Sequence, residues 1–448
     1  MYSKYSDGNS YIRIITMKQI LKKIVIFILT LEARIVLLKY KPKIVAVTGS
    51  VGKTSTKDAI GAVLEAHYFT RTSKKSFNSE IGVPLTILGC PNGWSNVFAW
   101  SHIFFEGLAL IFLKNHYPKI LVVEVGTDRP GDIRRIARWM KPNIVVMTRI
   151  GEVPPHVEFF KSRDDLIREK THLVRALRSA GTLILNTDDE DLAKLKESKR
   201  SQNSITFGMK EGAVLRASNV ALSYKKSGEP KGVQCKVSYE GKVFPLTISG
   251  TIGTHYVYMG LAALAVGIAF EVNIVSLLEG LKKFKIPPGR GTLLKGIRDS
   301  IIIDDSYNAS PVAVEASLAS LASLENIKGR KIVVIGDMLE LGKYSTEEHG
   351  RMGSFAAHAG DAVVTVGPRA FLMRDGAFDE GLQVENAYHF EDAYKAGEFL
   401  KTFIQEGDVV LVKGSQSMRM EHVVEAIMAE PEKKKELLVR QEDEWQNR

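Results

Sequence analysis

Cysteine is almost missing from this chain. Two occur in 448 residues, Cys90 and Cys235, far apart and in unrelated contexts. That excludes a disulfide scaffold and a cysteine-based zinc site, and it fits a reducing compartment. No tandem repeat recurs. Uncharged apolar runs long enough to span a membrane are also missing: in the N-terminal segment Ile24–Leu31 is only eight residues, where a spanning helix needs about 20. No small-residue cleavage site follows it, which argues against a secretory signal. Acidic residues are scarce at the N-terminal end. Residues 1–43 carry nine Lys/Arg against Asp7 and Glu32.

What is present is ordinary globular composition, 45% apolar and 25% charged, which excludes disorder. The length suggests roughly two to four domains. The net charge is +10, yet +7 of it sits in the first 43 residues and +3 in the other 405. A basic end of that kind does not describe a nucleic-acid-binding body, and no nucleic-acid partner is expected.

Residues 18–40 (KQILKKIVIFILTLEARIVLLKY) have helical spacing, aliphatic side chains and flanking lysines. Two readings stand: an amphipathic helix on an anionic membrane surface, or a helix docked on the body. A second apolar stretch, Trp94–Leu113, holds two Trp and four Phe. It reads as a buried hairpin or as a membrane-facing insertion beside the first helix.

From Lys43 the pattern is strand, turn, helix. Lys43–Thr48, Ile120–Val125, Ile144–Thr148 and Thr182–Asn186 are continuous apolar runs separated by helical stretches, the first of them Thr54–Ala66. They predict a mostly parallel sheet buried on both faces. Alternation over Gln234–Tyr239 and Val243–Ile248, with turns at Ser227-Gly228 and Glu240-Gly241, predicts antiparallel strands. A helix is expected over Tyr256–Phe270. Pro287-Pro288-Gly289 is a natural hinge. A second α/β pattern follows, with strands at Ile301–Asp304, Lys331–Ile335, Ala362–Val366 and Val409–Val412. The expected division is a basic apolar helical segment (1–43), a central ATP-binding domain (44–286), a Rossmann-like domain (287–430) and a charged tail (431–448).

The segment Thr48–Ser55 (TGSVGKTS) follows a strand and opens a helix. Gly49 and Gly52 permit tight turning. Backbone N–H groups of Gly49, Ser50, Gly52 and Ser55 and the helix N-terminus would hold phosphate oxygens. Lys53 would reach the β/γ-phosphates and the Thr54 hydroxyl would ligand Mg²⁺. Position 47 is Val, so the strict phosphate-loop pattern is not met. Glu124 ends an apolar run, where a carboxylate would point into the crevice of an open sheet. A surface ion pair is its alternative reading. His156 follows the next strand, and Lys170 lies fourteen residues on, on a helix face expected to look inward. A lone His is most often structural. Together the three suggest a two-metal site.

TGSVGKTSTK, SFNSEIGVPLTIL, EVGTDRPGDI, IGEVPPHVEFF, DDSYNASP, GDMLELG and LVKGSQSM, in this order, closely resemble the Mur ligases of peptidoglycan synthesis. The last three are most similar to the branch that adds D-alanyl-D-alanine to a UDP-N-acetylmuramoyl (UDP-MurNAc) tripeptide. The resemblance spans about Lys43 to Ala429. It implies a cytoplasmic ligase, a monomer, that uses ATP and two Mg²⁺ to join a UDP-MurNAc-peptide-like acceptor to D-Ala-D-Ala or another amino donor. It implies catalytic or metal roles for Lys53, Asn78, Glu124, His156 and Lys170, with Lys170 carbamylated. His255, Arg290 and Asp305 are implied nucleotide contacts. Two features depart from the pattern. Only 47 residues precede Thr48, so the UDP-binding part is expected to be reduced or replaced. Tyr256 also stands where the family commonly has Asn. A different acceptor, polyglutamate-type or lipid-linked, and a non-catalytic nucleotide-binding scaffold are the alternatives.

Overall fold

The computed structural model describes residues 7–73, 76–94, 96–150, 157–198, 203–442 and 445. Two sheets organise them. The first has nine strands: β1 Lys43–Thr48, β2 Thr70–Thr72, β3 Ile120–Glu124, β4 Ile144–Met147, β5 Thr182–Asn186, β6 Asn203–Gly208, β7 Leu215–Tyr224, β8 Pro230–Tyr239 and β9 Lys242–Ser249. Their order is β2-β3-β1-β4-β5-β6-β7-β8-β9. All pairs up to β7 are parallel, and β7, β8 and β9 pair antiparallel.

The order places a topological switch at β1. The chain leaves β1, builds β3 on one side, then crosses to β4 on the other. The crevice beyond the carboxyl ends of such strands is where open α/β sheets bind ligands. Register puts Val47 beside Glu124 and Thr48 beside Met147. The phosphate loop and Glu124 therefore emerge at one edge.

Alternate residues of β1 serve opposite cores, as the period of a strand requires. Val45 and Val47 pack with the helices Lys53–Glu65 and His255–Ala269. Ile44 and Ala46 pack with the helix Gly82–Leu88 and with Leu29, Ala33 and Val36 of the long N-terminal helix Asp7–Tyr40. That helix is thus docked on the sheet through one stripe. Beside it lies the helix Val97–Phe112, which turns Ile103, Gly107 and Leu110 inward. Lys39 donates to the carbonyls of Leu110, Ile111 and Leu113, satisfying the open C-terminal end of its neighbour. Among the described residues no helix is long and apolar enough to cross a membrane.

The second sheet has six strands: β10 Thr292–Lys295, β11 Ile301–Asp305, β12 Lys331–Gly336, β13 Ala362–Val366, β14 Ala387–Phe390 and β15 Val409–Lys413. Their order is β10-β11-β15-β12-β13-β14, parallel apart from the β10–β11 pair. Helices cover both faces, giving two further cores. Just past the hinge, Thr292 forms an isolated β-bridge with Thr251 of the first unit. Residues 431–442 run back over the body as short turns, with Leu438 buried and Arg440 in an ion pair with Glu421 at 2.7 Å.

Candidate active site between the two sheets

The phosphate loop is clamped by the end of β4. Ser50 N donates to Arg149 O at 2.6 Å, and Thr148 Oγ1 donates to Val51 O at 2.7 Å. Gly49 has φ 148°, and a Cβ there would lie 2.1 Å from Thr148 Oγ1, so only glycine fits. Gly52, at φ 78°, caps the helix that begins at Lys53. Ser50 Oγ is buried beneath the loop with no hydrogen-bond partner. A buried orphan hydroxyl in a cradle of backbone N–H groups fits a phosphate oxygen.

Glu124 is 1% exposed. Its carboxylate accepts from Thr54 Oγ1 at 2.8 Å and from Asn78 Nδ2 at 3.0 Å. A buried carboxylate is costly without such partners or a nearby cation. Asn78 is seated by its own backbone, whose carbonyl accepts from Gly126 N at 2.8 Å. From the hinge, Arg290 Nη2 donates to Thr54 Oγ1 at 3.0 Å and to Ser76 Oγ at 3.3 Å. Tyr307, just past β11, donates to Ser76 Oγ at 2.8 Å and lies 3.8 Å beneath the Arg290 guanidinium. Thr54, Ser76, Arg290 and Tyr307 form one network that ties the units together. The hydroxyl of Thr54 and the carboxylate of Glu124 are hard oxygen donors, and that donor set fits Mg²⁺.

Lys53 and Lys170 lie on the other side of the loop. Lys170 Nζ donates to Gly49 O at 2.8 Å and Lys53 Nζ to Ser50 O at 3.2 Å. Burial pushes Lys170 well below the usual lysine range, and the charge of Lys53 adds to the effect while Glu169 opposes it. Burial lowers Lys53 too, against the pull of Glu124. Lys170 touches the phosphate loop itself. His156 lies outside the described residues.

A cavity beside the loop is lined by Ser50, Gly52, Ser55, His255, Arg290 and Asp305, among others. Burial pushes the His255 imidazole down to about 4, so it is neutral near pH 7. Asp305 accepts from Lys413 Nζ and from Ser317 Oγ, each at 2.6 Å. Tyr256 donates its hydroxyl to the Arg290 carbonyl. That contact ties the helix His255–Ala269 to the hinge and accounts for a tyrosine at this position.

Of the described residues expected at the site, Ser50, Gly52, Ser55, His255, Arg290 and Asp305 line this cavity, Thr54, Asn78 and Glu124 share hydrogen bonds beside it, and Lys53 and Lys170 bond to carbonyls of the loop. Ser76 and Lys413 were missed. Each stands in a recognisable motif, SFNSEIGVP or LVKGSQSM, but a lone Ser or Lys carries no metal-ligand signal.

Residues 47–100 and 107–267 match the family model of the Mur ligase middle domain. Residues 289–416 match that of the Mur ligase, glutamate ligase domain. A UDP-N-acetylmuramoyl-tripeptide–D-alanyl-D-alanine ligase of Bacillus subtilis (strain 168) is 28% identical over 390 residues, 87% of this chain and 76% of the relative. The ligase of the same name from Escherichia coli (strain K12) is 27% identical over 389 residues, 86% of this chain and 76% of the relative. Among solved structures, the MurF ligase from Thermotoga maritima in complex with ADP aligns with a TM-score of 0.72 and 26% identity, covering 91% of this chain and 84% of that one. MurF from Acinetobacter baumannii shares the fold, with a TM-score of 0.72 at 24% identity over 89% of this chain and 79% of that one.

Proposed function

From the chain's membership of the Mur ligase family, we propose that it is an ATP-dependent carboxylate–amine ligase that adds D-Ala-D-Ala to a UDP-MurNAc tripeptide. The name carried by its relatives supports the substrates. The observation that carries the chemistry is local. A phosphate loop, a buried carboxylate held by a hydroxyl and an amide, and an arginine from the second unit converge at one point.

The substrate carboxylate attacks the γ-phosphorus of ATP. The bond from the β–γ bridging oxygen to that phosphorus breaks, ADP leaves with its electron pair, and an acyl phosphate forms. The amine nitrogen then attacks the acyl carbon, phosphate leaves, and the nitrogen loses a proton. Backbone N–H groups from Gly49 to Ser55 hold the phosphates. Lys53 and Arg290 offset the charge that gathers during transfer. Asn78 keeps Glu124 oriented. His255 and Asp305 contact the nucleoside side. Thr54 and Glu124 would hold one Mg²⁺, and Glu124, His156 and a carbamylated Lys170 the second. Bound there, Mg²⁺ neutralises phosphate oxygens as a Lewis acid. Closure of the unit 287–430 over 44–286 would keep water off the acyl phosphate.

The enzyme acts as a monomer in the cytoplasm, against the membrane. The helices Asp7–Tyr40 and Val97–Phe112 supply that contact, supported by the apolar side chains they turn outward.

The deciding experiment mixes the protein with ATP, Mg²⁺, UDP-MurNAc-tripeptide and D-Ala-D-Ala. Phosphate release and product mass are followed. Release that needs both acceptors and yields the pentapeptide product is expected. Release independent of both would sink the ligase reading, and release with another amine would change the substrate.

A further inference from the structure

A second cavity, of about 550 Å³, lies beside the nucleotide cleft, a usual size for a ligand site. The two share Arg290 and Tyr307 as a common wall. Thr54 and Ser76 face the second cavity, not the first. It therefore meets the nucleotide cleft at the phosphate end, where an acceptor carboxylate has to arrive.

Its inner wall comes from the first unit and the hinge, through Phe77, Ile81, Leu85 and Pro288. Its outer wall comes from the chain's last residues, among them Lys435, Leu438, Val439, Arg440 and Trp445. These lie beyond residue 416, where the family match ends. We propose that residues 435–442 and Trp445 build the outer wall of the acceptor site and that Trp94 and Trp445 set which peptide fits; this rests on the ligase reading.

The wall is fixed, not draped. Arg440 is buried, paired with Glu421 at 2.7 Å and hydrogen-bonded to the carbonyls of Ser306 and Tyr307. Leu438 is buried in the core of the second unit. Val439 packs on Gly289 so closely that a Cβ there would lie 2.8 Å from it. The Trp445 carbonyl accepts from Arg419 Nη1 at 3.0 Å. The indole of Trp445 then meets that of Trp94 edge-on, centroids 6.5 Å apart at 81°. The pair spans the mouth between the first unit and the tail, a favourable aromatic geometry.

Backbone strain is present at this pair. Trp94, Arg419 and Arg440 all have left-handed backbones, with φ 46°, 52° and 57°. A bulky residue such as Trp rarely adopts that conformation. Strain held in place beside a cavity is typical of ligand clamps. The lining combines aromatic and aliphatic side chains with the cations Arg290, Lys435 and Arg440 and the carboxylates Asp58, Glu436 and Glu442. That chemistry suits a peptide that carries apolar side chains and charges of both signs.

The test uses the full-length chain and its Trp445→Ala, Trp445→Phe and Trp94→Ala variants. Kinetics are measured against UDP-MurNAc-tripeptide and, separately, ATP. Trp445→Ala and Trp94→Ala should each raise KM for the tripeptide substrate about tenfold, with kcat and KM for ATP unchanged and Trp445→Phe close to the parent. Unchanged constants in both alanine variants would overturn the proposal. So would parallel losses against both substrates, which would make the tail a structural brace. If the parent enzyme itself ignores the acceptor, the ligase reading falls and takes this one with it.

Discussion

Lys170 owes its chemistry to where it is buried. Desolvation and the charge of Lys53 both favour its neutral amine, the form that captures carbon dioxide. The resulting carbamate would be an anion facing Lys53. Lys170→Ala should therefore lose activity by about 100-fold or more, on the scale of a lost charge-stabilising group. Short carboxylates should restore part of it. Full activity without them would remove Lys170 from the site. Glu32 is a different kind of residue. It is 5% exposed between the two outer helices, its Oε2 has no hydrogen-bond partner among the described residues, and a Cβ on Gly107 would lie 2.3 Å from it. Burial raises its carboxyl to about 7 from the usual 4.5. Because the folded value is the higher one, its contribution to stability is greatest below 4.5 and is lost as pH rises towards 7. Glu32→Gln should leave melting near pH 5 unchanged and raise it at pH 8 by roughly 1–2 °C. Equal melting of both proteins at pH 8 would show that Glu32 finds a partner in solution.

At the scale of elements, the two outer helices are apolar on two sides. The first buries Leu29, Ala33 and Val36 yet exposes Ile20, Ile24, Phe27, Leu31 and Leu38. The second buries Ile103, Gly107 and Leu110 and exposes Phe98, Phe105 and Phe112. Seven-residue spacing places those three phenylalanines on one stripe, with Phe98 86% exposed. A helix with apolar side chains all round normally has a partner on every side. Lys22, Lys23, Lys41 and Lys114 are exposed on or beside these helices, and against an anionic surface they would contribute about 1 kcal/mol each. Vesicles containing phosphatidylglycerol should carry the protein upward in a density gradient. A Phe98→Ser, Phe105→Ser double variant should float several-fold less. Protein that stays at the bottom at low salt would leave the membrane contact without support. Elements also differ in how well composition reveals them. The central strands β1, β3, β4, β12 and β15 are buried on both faces and so read as unbroken apolar runs. The edge strands β2 and β14 are three and four half-buried residues, too short to impose a pattern, and they escaped notice. The tail read as a charged end because its role depends on Arg440 meeting residues more than 130 positions away.

At the scale of the molecule, the charge is partitioned as the fold is. The first 43 residues hold +7 of the net +10, and the helix Asp7–Tyr40 among them carries the exposed apolar stripe. The rest of the chain is two α/β units meeting at a cleft. What the sequence determined by itself is whatever is set within a few residues: the phosphate loop between strand and helix, the parallel strands, the hinge prolines, the carboxylate at the end of β3. Local sterics and burial dictate these, so they are legible without a partner. The tertiary structure alone decided what depends on distant residues meeting. Thr54 and Arg290 are 236 positions apart, Ser76 and Tyr307 231, Asp305 and Lys413 108. The first two pairs meet only because the second unit packs against the first across the hinge, and the third because β11 and β15 pair side by side. The same packing settled how the N-terminal helix sits, docked by one stripe and open on the other, because a helix with two apolar stripes does not say which one the sheet will take.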